Sequence, residues 1–275
     1  PVKCPMTSSY YQSRINLTSP TQSHSINSPD SHHTAPATST SIEDTTLSPA
    51  NHPANASSNP SKDILSPAEQ HEFQSTVGTL LYVSLCTRPD ISYAVTVLCR
   101  SMQQATVADR TALRHLLKYI KGTVDIQLHI GQDKTQQMTV YSDSSYADDK
   151  RTGRSTMGQV IQYKGGTVQW KSQLQKTVSL STAEAEYIAV ADSCKEAQSL
   201  QHLLQEVGII AYKPAAIQIF TDNQAAATMA TNSGSTNRTR HINVRYHYIR
   251  ELQQVGTINI SYIPTERQPA DLLTK

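Results

Sequence analysis

From about residue 125 the apolar residues of this chain switch to strand-like spacing, and that switch constrains the fold more than any other feature. "IQLHI", "MTVYSD", "GQVIQY" and "GTVQWKS" alternate or run apolar over strand lengths. "YKGGTVQW" has the form of a hairpin, with Gly165-Gly166 supplying positive φ. The stretch "STAEAEYIAVADSCKEAQSLQHLLQEVG" is helical and ends at Gly208. "AAIQIFTD" is then a strand, "NQAAATMA" a short helix, and "TRHINVRYHYIRELQQVG" a longer helix packing through Ile242, Tyr246, Ile249 and Leu252. "TINISYIP" is the last strand, and "QPADLLTK" begins a helix that is cut off at Lys275. Strands followed by mixed helices and strands predict an α/β or α+β domain, a mixed sheet with helices on both faces.

Three helices are expected upstream. "SPAEQHEF" carries a serine cap, a proline at the first helical position and a glutamate behind it. "TRPDISYAVTVLCRSM" starts a second helix near Pro89, with Asp90 favourable to its dipole. "TVADRTALRHLLKYIKG" is a third, with Leu113, Leu116, Leu117 and Ile120 on one face and Gly122 as its stop. Residues 1–62 are different: Ser, Thr, Pro, Asn and Ala dominate, and eight of the 13 prolines lie there. Such a segment buries too little apolar surface to offset its ordering entropy. The chain therefore divides into a disordered linker (1–65), a helical packing unit (66–124) and an α/β domain (125–275).

Several function classes are excluded early. The four cysteines are scattered without a CxxC pair, which suggests a reducing compartment and neither a disulfide framework nor a zinc site. No apolar run approaches 18 residues and no signal-peptide pattern follows Pro1, so the chain reads as a piece of something longer. A formal net charge of +2 is too small to imply a polyanion partner by itself.

The acidic residues carry the chemistry. Asp143 follows a strand, Asp222 follows a strand, and Asp271 opens a helix. Carboxyl ends of strands are where open α/β sheets bind ligands. A fourth carboxylate lies on the helix after the hairpin, at Glu184 or Glu186; residues two apart on a helix point about 200° apart, so only one can face the others. Singly, each aspartate is a turn or cap residue. Together they need a cation, because converging carboxylates repel and their pKa values rise unless one neutralises them. Two Mg²⁺ ions about 4 Å apart activate a water and stabilise the leaving oxygen in phosphodiester cleavage. Six basic residues and no acid lie between Lys150 and Ala183, and four arginines and no acid between Asn223 and Arg250. An acidic constellation between two basic stretches suits a polyanion laid across a metal centre.

"YSDSSYADDKRTGRSTMG", "VQWKSQLQKTVSLSTAEAEYIA", "IFTDNQAA", "RTRHINVRYHYIRE" and "YIPTERQPADLLTK" closely resemble the C-terminal RNase H region of copia-type retrotransposon Pol polyproteins. The likeness covers about residues 66–275, with "VGTLLYVSLCTRPDISYAV" and "LLKYIKGT" similar to the connection between polymerase and RNase H. The order Asp, Glu, Asp, Asp is that of RNase H; an integrase carries Asp, Asp, Glu. The resemblance implies an RNase H-like five-stranded mixed sheet flanked by helices, with Asp143, Glu186, Asp222 and Asp271 as catalytic metal ligands. Its "EAEY" motif selects Glu186. The implied cofactor is two Mg²⁺ ions, for which Mn²⁺ substitutes. The implied partners are an RNA–DNA hybrid and the rest of the reverse transcriptase polyprotein, inside the cell in a virus-like particle and the nucleus. Arg154, Lys171, Arg240 and Arg245 are the candidate phosphate contacts; His241, four residues before Arg245 on the same helix face, is expected to be a satisfied surface histidine.

Two departures from the pattern matter. "SYIPTERQPAD" lacks the histidine that many RNase H enzymes carry before the last aspartate. The chain also stops four residues after Asp271. So short a helix is not stable alone, so the expectation is a frayed end, a poorly held Asp271 and weak or Mn²⁺-biased activity. The alternative is a degenerate remnant that keeps the fold as a nucleic-acid-binding or structural module. The two glutamates make a direct test: Glu186→Gln should eliminate Mg²⁺-dependent cleavage of a labelled RNA–DNA hybrid, while Glu184→Gln should leave the rate nearly unchanged. The opposite order of effects would show the helix register to be wrong.

Overall fold

The computed structural model describes residues 17–18, 63–131, 137–211, 214–231 and 243–275. Apart from Leu17–Thr18, the segment expected to be disordered as far as residue 62 lies outside the described residues. The helical unit comprises α1 (Pro67–Cys86), a 3₁₀ turn (Pro89–Ile91), α2 (Ser92–Cys99) and α3 (Val107–Gly122). α1 opens on a capping box: the Ser66 side chain accepts from Glu69 N–H, and Glu69 accepts from Ser66 N–H at 3.0 Å. Thr106 and Asp109 repeat the device at α3. The helices meet through Phe73, Val77, Ile91, Val95, Leu113 and Leu116. Leu117, expected on that face, is 40% exposed. Leu65, within the segment expected to be a linker, is buried against the helices, and its N–H donates to Ala105 O at 3.0 Å.

Two short strands, β1 (Leu17–Thr18) and β2 (Gln127–Leu128), pair antiparallel. The main sheet is built from β3 (Thr139–Asp149), β4 (Arg154–Tyr163), β5 (Gly166–Leu174), β6 (Ile217–Thr221) and β7 (Ile258–Tyr262), with α4 (Thr182–Glu206), α5 (Gln224–Thr231) and α6 (Asn243–Gln254) between them. Its order is β5-β4-β3-β6-β7. The first three strands form an antiparallel meander, and β6 and β7 add in parallel on the far side of β3. This is the RNase H-like arrangement. At the β4–β5 turn the positive-φ pair is Lys164 (52°) and Gly165 (74°), so Gly166 is already in the strand. Gly166 is needed for another reason: a Cβ there would lie 2.4 Å from Gly131 N.

The period-2 pattern sorts the strands onto two faces. Val140, Ile161, Ile217, Ile219, Ile258 and Ile260 pack against Tyr187, Val190 and Cys194 of α4 and Ile249 of α6. Val160, with Tyr141 and Trp170, joins the core of the helical unit. Trp170 Nε1 donates to Ser84 O at 2.7 Å and Thr96 Oγ1 to Ser172 O at 3.1 Å, so the upstream helices form the second layer over the meander.

The C-terminal segment departs from expectation. "PADLL" forms a five-residue 3₁₀ turn, Pro269–Leu273, and not the start of an α-helix. It does not fray at the surface: all five residues are buried, and so is Thr274. Ala270, Leu272 and Leu273 share the core of the helical unit, and Ser172 Oγ donates to Leu273 O at 2.6 Å. Burial from both sides holds the segment in place. Gly158 of β4 makes room for it, since a Cβ there would meet Ala270 O, Leu273 Cβ and Thr274 Cγ2 at 2.8 Å each. Gly158→Ala should destabilise the fold by about 1–3 kcal/mol, the cost of overpacking a filled site. Urea unfolding measures it, and a loss below about 0.5 kcal/mol would show that the segment yields freely.

Candidate metal centre

Register brings the first two aspartates together. The parallel pairing of β3 with β6 ends at Tyr141↔Phe220. Asp143 and Asp222 each stand two positions beyond that last pair, at equivalent points on neighbouring strands. Asp143 is not the end of its strand, as the sequence suggested. β3 continues to Asp149 against β4, with Asp143 opposite Gly158 and a register shift between Ser145 and Asp149. It is the β6 neighbour that ends, and this opens one side of β3 at the carboxylate.

α4 brings the third. Ser181 caps it, and Glu184 turns back to accept from Leu180 N–H at 2.8 Å. Glu186, on a different azimuth, accepts from Ser144 N–H at 3.1 Å through Oε1. Ligand oxygens of Asp143, Glu186 and Asp222 all lie within 4.8 Å of one another. Asp222 is not the cap of α5, because Asn223 Oδ1 accepts from Ala226 N–H at 2.9 Å and does that work. The Asp222 carboxylate instead accepts from Thr265 Oγ1 at 2.8 Å.

Asp271 stands beside this trio without being one of the three mutually close ligands. Its segment is clamped to β3 at two points. Gln268, fully buried, donates from Nε2 to Ser142 O at 2.9 Å, and Thr274 Oγ1 donates to Asp143 Oδ2. The Asp271 carboxylate is ion-paired with Lys275 Nζ. Gln268, Thr274 and Lys275 were missed from sequence; only the i,i+4 spacing of Asp271 and Lys275 could have flagged a pair.

The electrostatics are those of a site built for positive charge. Burial pushes the Glu186 carboxyl up to about 9, and the charges of Asp143 and Asp222 add to the rise. Burial also raises Asp143, to about 6; the Thr274 hydroxyl opposes this, Asp222 adds to it, Lys275 opposes it and Asp271 adds to it. Glu186 Oε2 is buried with no hydrogen-bond partner among the described residues. An orphaned carboxyl oxygen facing two further carboxylates is offset either by a proton, as the raised Glu186 provides, or by a cation that displaces it. The donors are all carboxylate oxygens, which suits a hard, oxygen-seeking ion such as Mg²⁺ or Mn²⁺.

The rest of "YSDSSYADD" has another task. Asp148 accepts from Arg100 Nη1 at 3.3 Å and from Thr156 Oγ1 at 2.7 Å, and Asp149 accepts from Thr152 Oγ1. These two carboxylates tie the β3–β4 turn to the end of α2. Among the proposed phosphate contacts, Lys171 is held by Asp192 at 3.0 Å and Glu196 at 2.9 Å. Arg154 is half-buried at the start of β4 opposite Asp149, and Arg245 is half-buried on α6. Arg240 and His241 lie outside the described residues.

No protein-family model matches the chain. Curated relatives do. The Retrovirus-related Pol polyprotein from transposon TNT 1-94 of Nicotiana tabacum is 38% identical over 204 residues, 74% of this chain and 15% of the relative. That from transposon RE1 of Arabidopsis thaliana is 36% identical over 204 residues, 74% of this chain and 14% of the relative. The chain thus spans about one seventh of these relatives. The Secreted RxLR effector protein 161 of Plasmopara viticola is 35% identical over 125 residues, 46% of this chain and 88% of that protein. Among solved structures, LC11-RNase H1 from compost covers 50% of this chain and 91% of its own, at 18% identity and a TM-score of 0.39. At that score the likeness decides nothing, and the strand order carries the fold assignment.

A stability test follows from the raised carboxyl of Glu186. Its folded-state pKa near 9 lies above the ordinary 4.5, so between those values the folded protein binds the extra proton. Stability of the metal-free protein should therefore fall as pH rises across that window. Thermal midpoints in chelator should drop by several degrees from pH 5 to pH 9, and Glu186→Gln should flatten the slope. An unchanged slope in the variant would remove Glu186 as its source.

Proposed function

Because the chain belongs to the retrovirus-related Pol polyproteins of copia-type transposons, we propose that residues 125–275 hydrolyse the RNA strand of RNA–DNA hybrids in a reaction dependent on divalent cations. The observation that carries this reading is the convergence of Asp143, Glu186 and Asp222 within 4.8 Å, with one Glu186 oxygen left unpartnered. Asp143, Glu186, Asp222 and Asp271 would hold two Mg²⁺ ions, with Mn²⁺ as a substitute. When bound, such ions would supply Lewis acidity at the scissile phosphate.

The chain's own groups provide the rest. The β3–β6 register and α4 hold three carboxylates in place before substrate arrives, so little reorganisation is needed at the moment of reaction. Gln268 and Thr274 hold the Asp271 segment against β3, which supports Asp271 as the fourth ligand. Arg154, Arg240 and Arg245 are proposed to contact backbone phosphates. Lys171 is the weakest of the four candidates, since its ammonium already has two carboxylate partners. RNA would be distinguished from DNA through 2′-hydroxyls in the wide minor groove. In the polyprotein this segment would act beside the polymerase, in the virus-like particle and the nucleus.

The test is cleavage of an end-labelled RNA–DNA hybrid by the full chain with Mg²⁺ and with chelator. Asp143→Asn should lower the rate by at least about 100-fold, as loss of a charged ligand does for metal sites, while circular dichroism stays unchanged. Cleavage in chelator equal to that in Mg²⁺, or an active Asp143→Asn, would overturn the metal-centred reading. A folded wild-type chain that binds divalent cations but cuts no hybrid would favour the non-catalytic module.

A further inference from the structure

One side chain at the carboxylates is not used by the hydrolysis reading, the Lys275 ammonium. Lys275 Nζ is ion-paired with Asp271 Oδ1, and its charge also acts on Asp143 and Asp222. The other ion pairs among the described residues lie elsewhere: Arg88 on Asp90, Arg100 on Asp148 and Asp149, Arg110 on Glu69, and Lys171 on Asp192 and Glu196. Among the described residues Lys275 is therefore the basic side chain paired with a member of the cluster.

The burial of the pair is lopsided. The Asp271 side chain is 12% exposed and the Lys275 side chain 52% exposed. The ammonium thus reaches a buried carboxylate from a side chain that is only half covered. Such a group can leave the site by rotating its stem, with no repacking of the core. Thr274, fully buried, stays behind on Asp143 and keeps the backbone of the segment in place.

We propose that Lys275 is the resident counter-ion of the carboxylate cluster: its ammonium neutralises Asp271, next to Asp143 and Asp222, when no divalent cation is bound, and gives up that carboxylate when one arrives. This rests on the reading of the cluster as a divalent-cation site. The consequence is competition. An ammonium and a metal ion drawing on the same negative charge oppose each other, and the coupling is reciprocal. Lysine suits the role better than arginine would, as a compact point charge on a flexible stem with no bidentate grip.

The experiment uses the full chain and Mn²⁺ alone as probe, with affinity read by isothermal titration calorimetry and stability by thermal unfolding. Lys275→Met should bind Mn²⁺ at least about fivefold tighter than wild type. Its metal-free thermal midpoint should fall below that of wild type, and the gap should close at saturating Mn²⁺. Lys275→Arg, which keeps the charge, should restore the metal-free midpoint. In an Asp271→Asn background the gain in Mn²⁺ affinity from Lys275→Met should shrink. Equal or weaker Mn²⁺ binding by Lys275→Met, with wild-type binding intact, overturns the counter-ion role and leaves the hydrolysis reading standing. Wild-type chain that binds no Mn²⁺ overturns both.

Discussion

Mutual repulsion of carboxylates in a buried site is the constraint around which this structure is arranged. Ligand oxygens of the trio lie within 4.8 Å of one another, a range at which two carboxylates, when both are charged, repel by on the order of 3 kcal/mol at an effective dielectric near 20. No single local structure can hold such a group together. Three different devices share the task. Parallel register sets Asp143 and Asp222 side by side, the capped start of α4 aims Glu186 at the backbone of Ser144, and a two-point clamp holds the Asp271 segment on β3. Each borrows rigidity from neutral donors: the strand backbone, the Ser144 N–H, the Gln268 amide and the Thr274 hydroxyl.

That arrangement makes the upstream helices more than a linker. The 3₁₀ turn bearing Asp271 packs into the same core as Phe73, Val77 and Ile91, and Gly158 of β4 is the floor beneath it. A compositional boundary near residue 125 therefore cuts through a shared core. Buried Arg88 shows how firmly the helical unit is tied: it donates to both oxygens of Asp90, at 2.9 and 2.7 Å, and Tyr119 donates to the same carboxylate. A buried pair of this kind is tolerable because its remaining lone pairs and protons are also bonded.

The acidic run at the end of β3 divides its charges by purpose. Asp143 turns toward the other ligands. Asp148 and Asp149, a few residues on, are met by Arg100 and by threonine hydroxyls and stitch the β3–β4 turn to α2. One short stretch thus carries a member of the carboxylate cluster and a structural pair, and the difference lies in which element comes alongside. The bulge between Ser145 and Asp149, with Ala147 at a φ of 49°, is where the strand changes course between the two.

Periodicity was enough to place the strands, the long α4 and the capped helices α1 and α3, because local caps and apolar spacing act within a few residues. It also pointed to Asp143, Asp222 and Asp271 as a set, although Glu184 and Glu186 could not be separated by spacing alone. Several features were hidden from it. The 3₁₀ form of "PADLL", the exposure of Leu117, the diversion of Lys171 to Asp192 and Glu196, and the pairing of Lys275 with its carboxylate each depend on what lies opposite. The expected fraying of the Asp271 segment was a sound inference from helix length and failed because burial between β4 and the helical unit supplies what length does not. The sequence by itself determined which residues could carry charge at strand ends and which faces must be buried, since those are properties of a residue and its near neighbours. Only the tertiary structure decided which carboxylates meet, which are neutralised and how the last one is held, since Coulomb interaction and packing act through space between residues far apart in the chain.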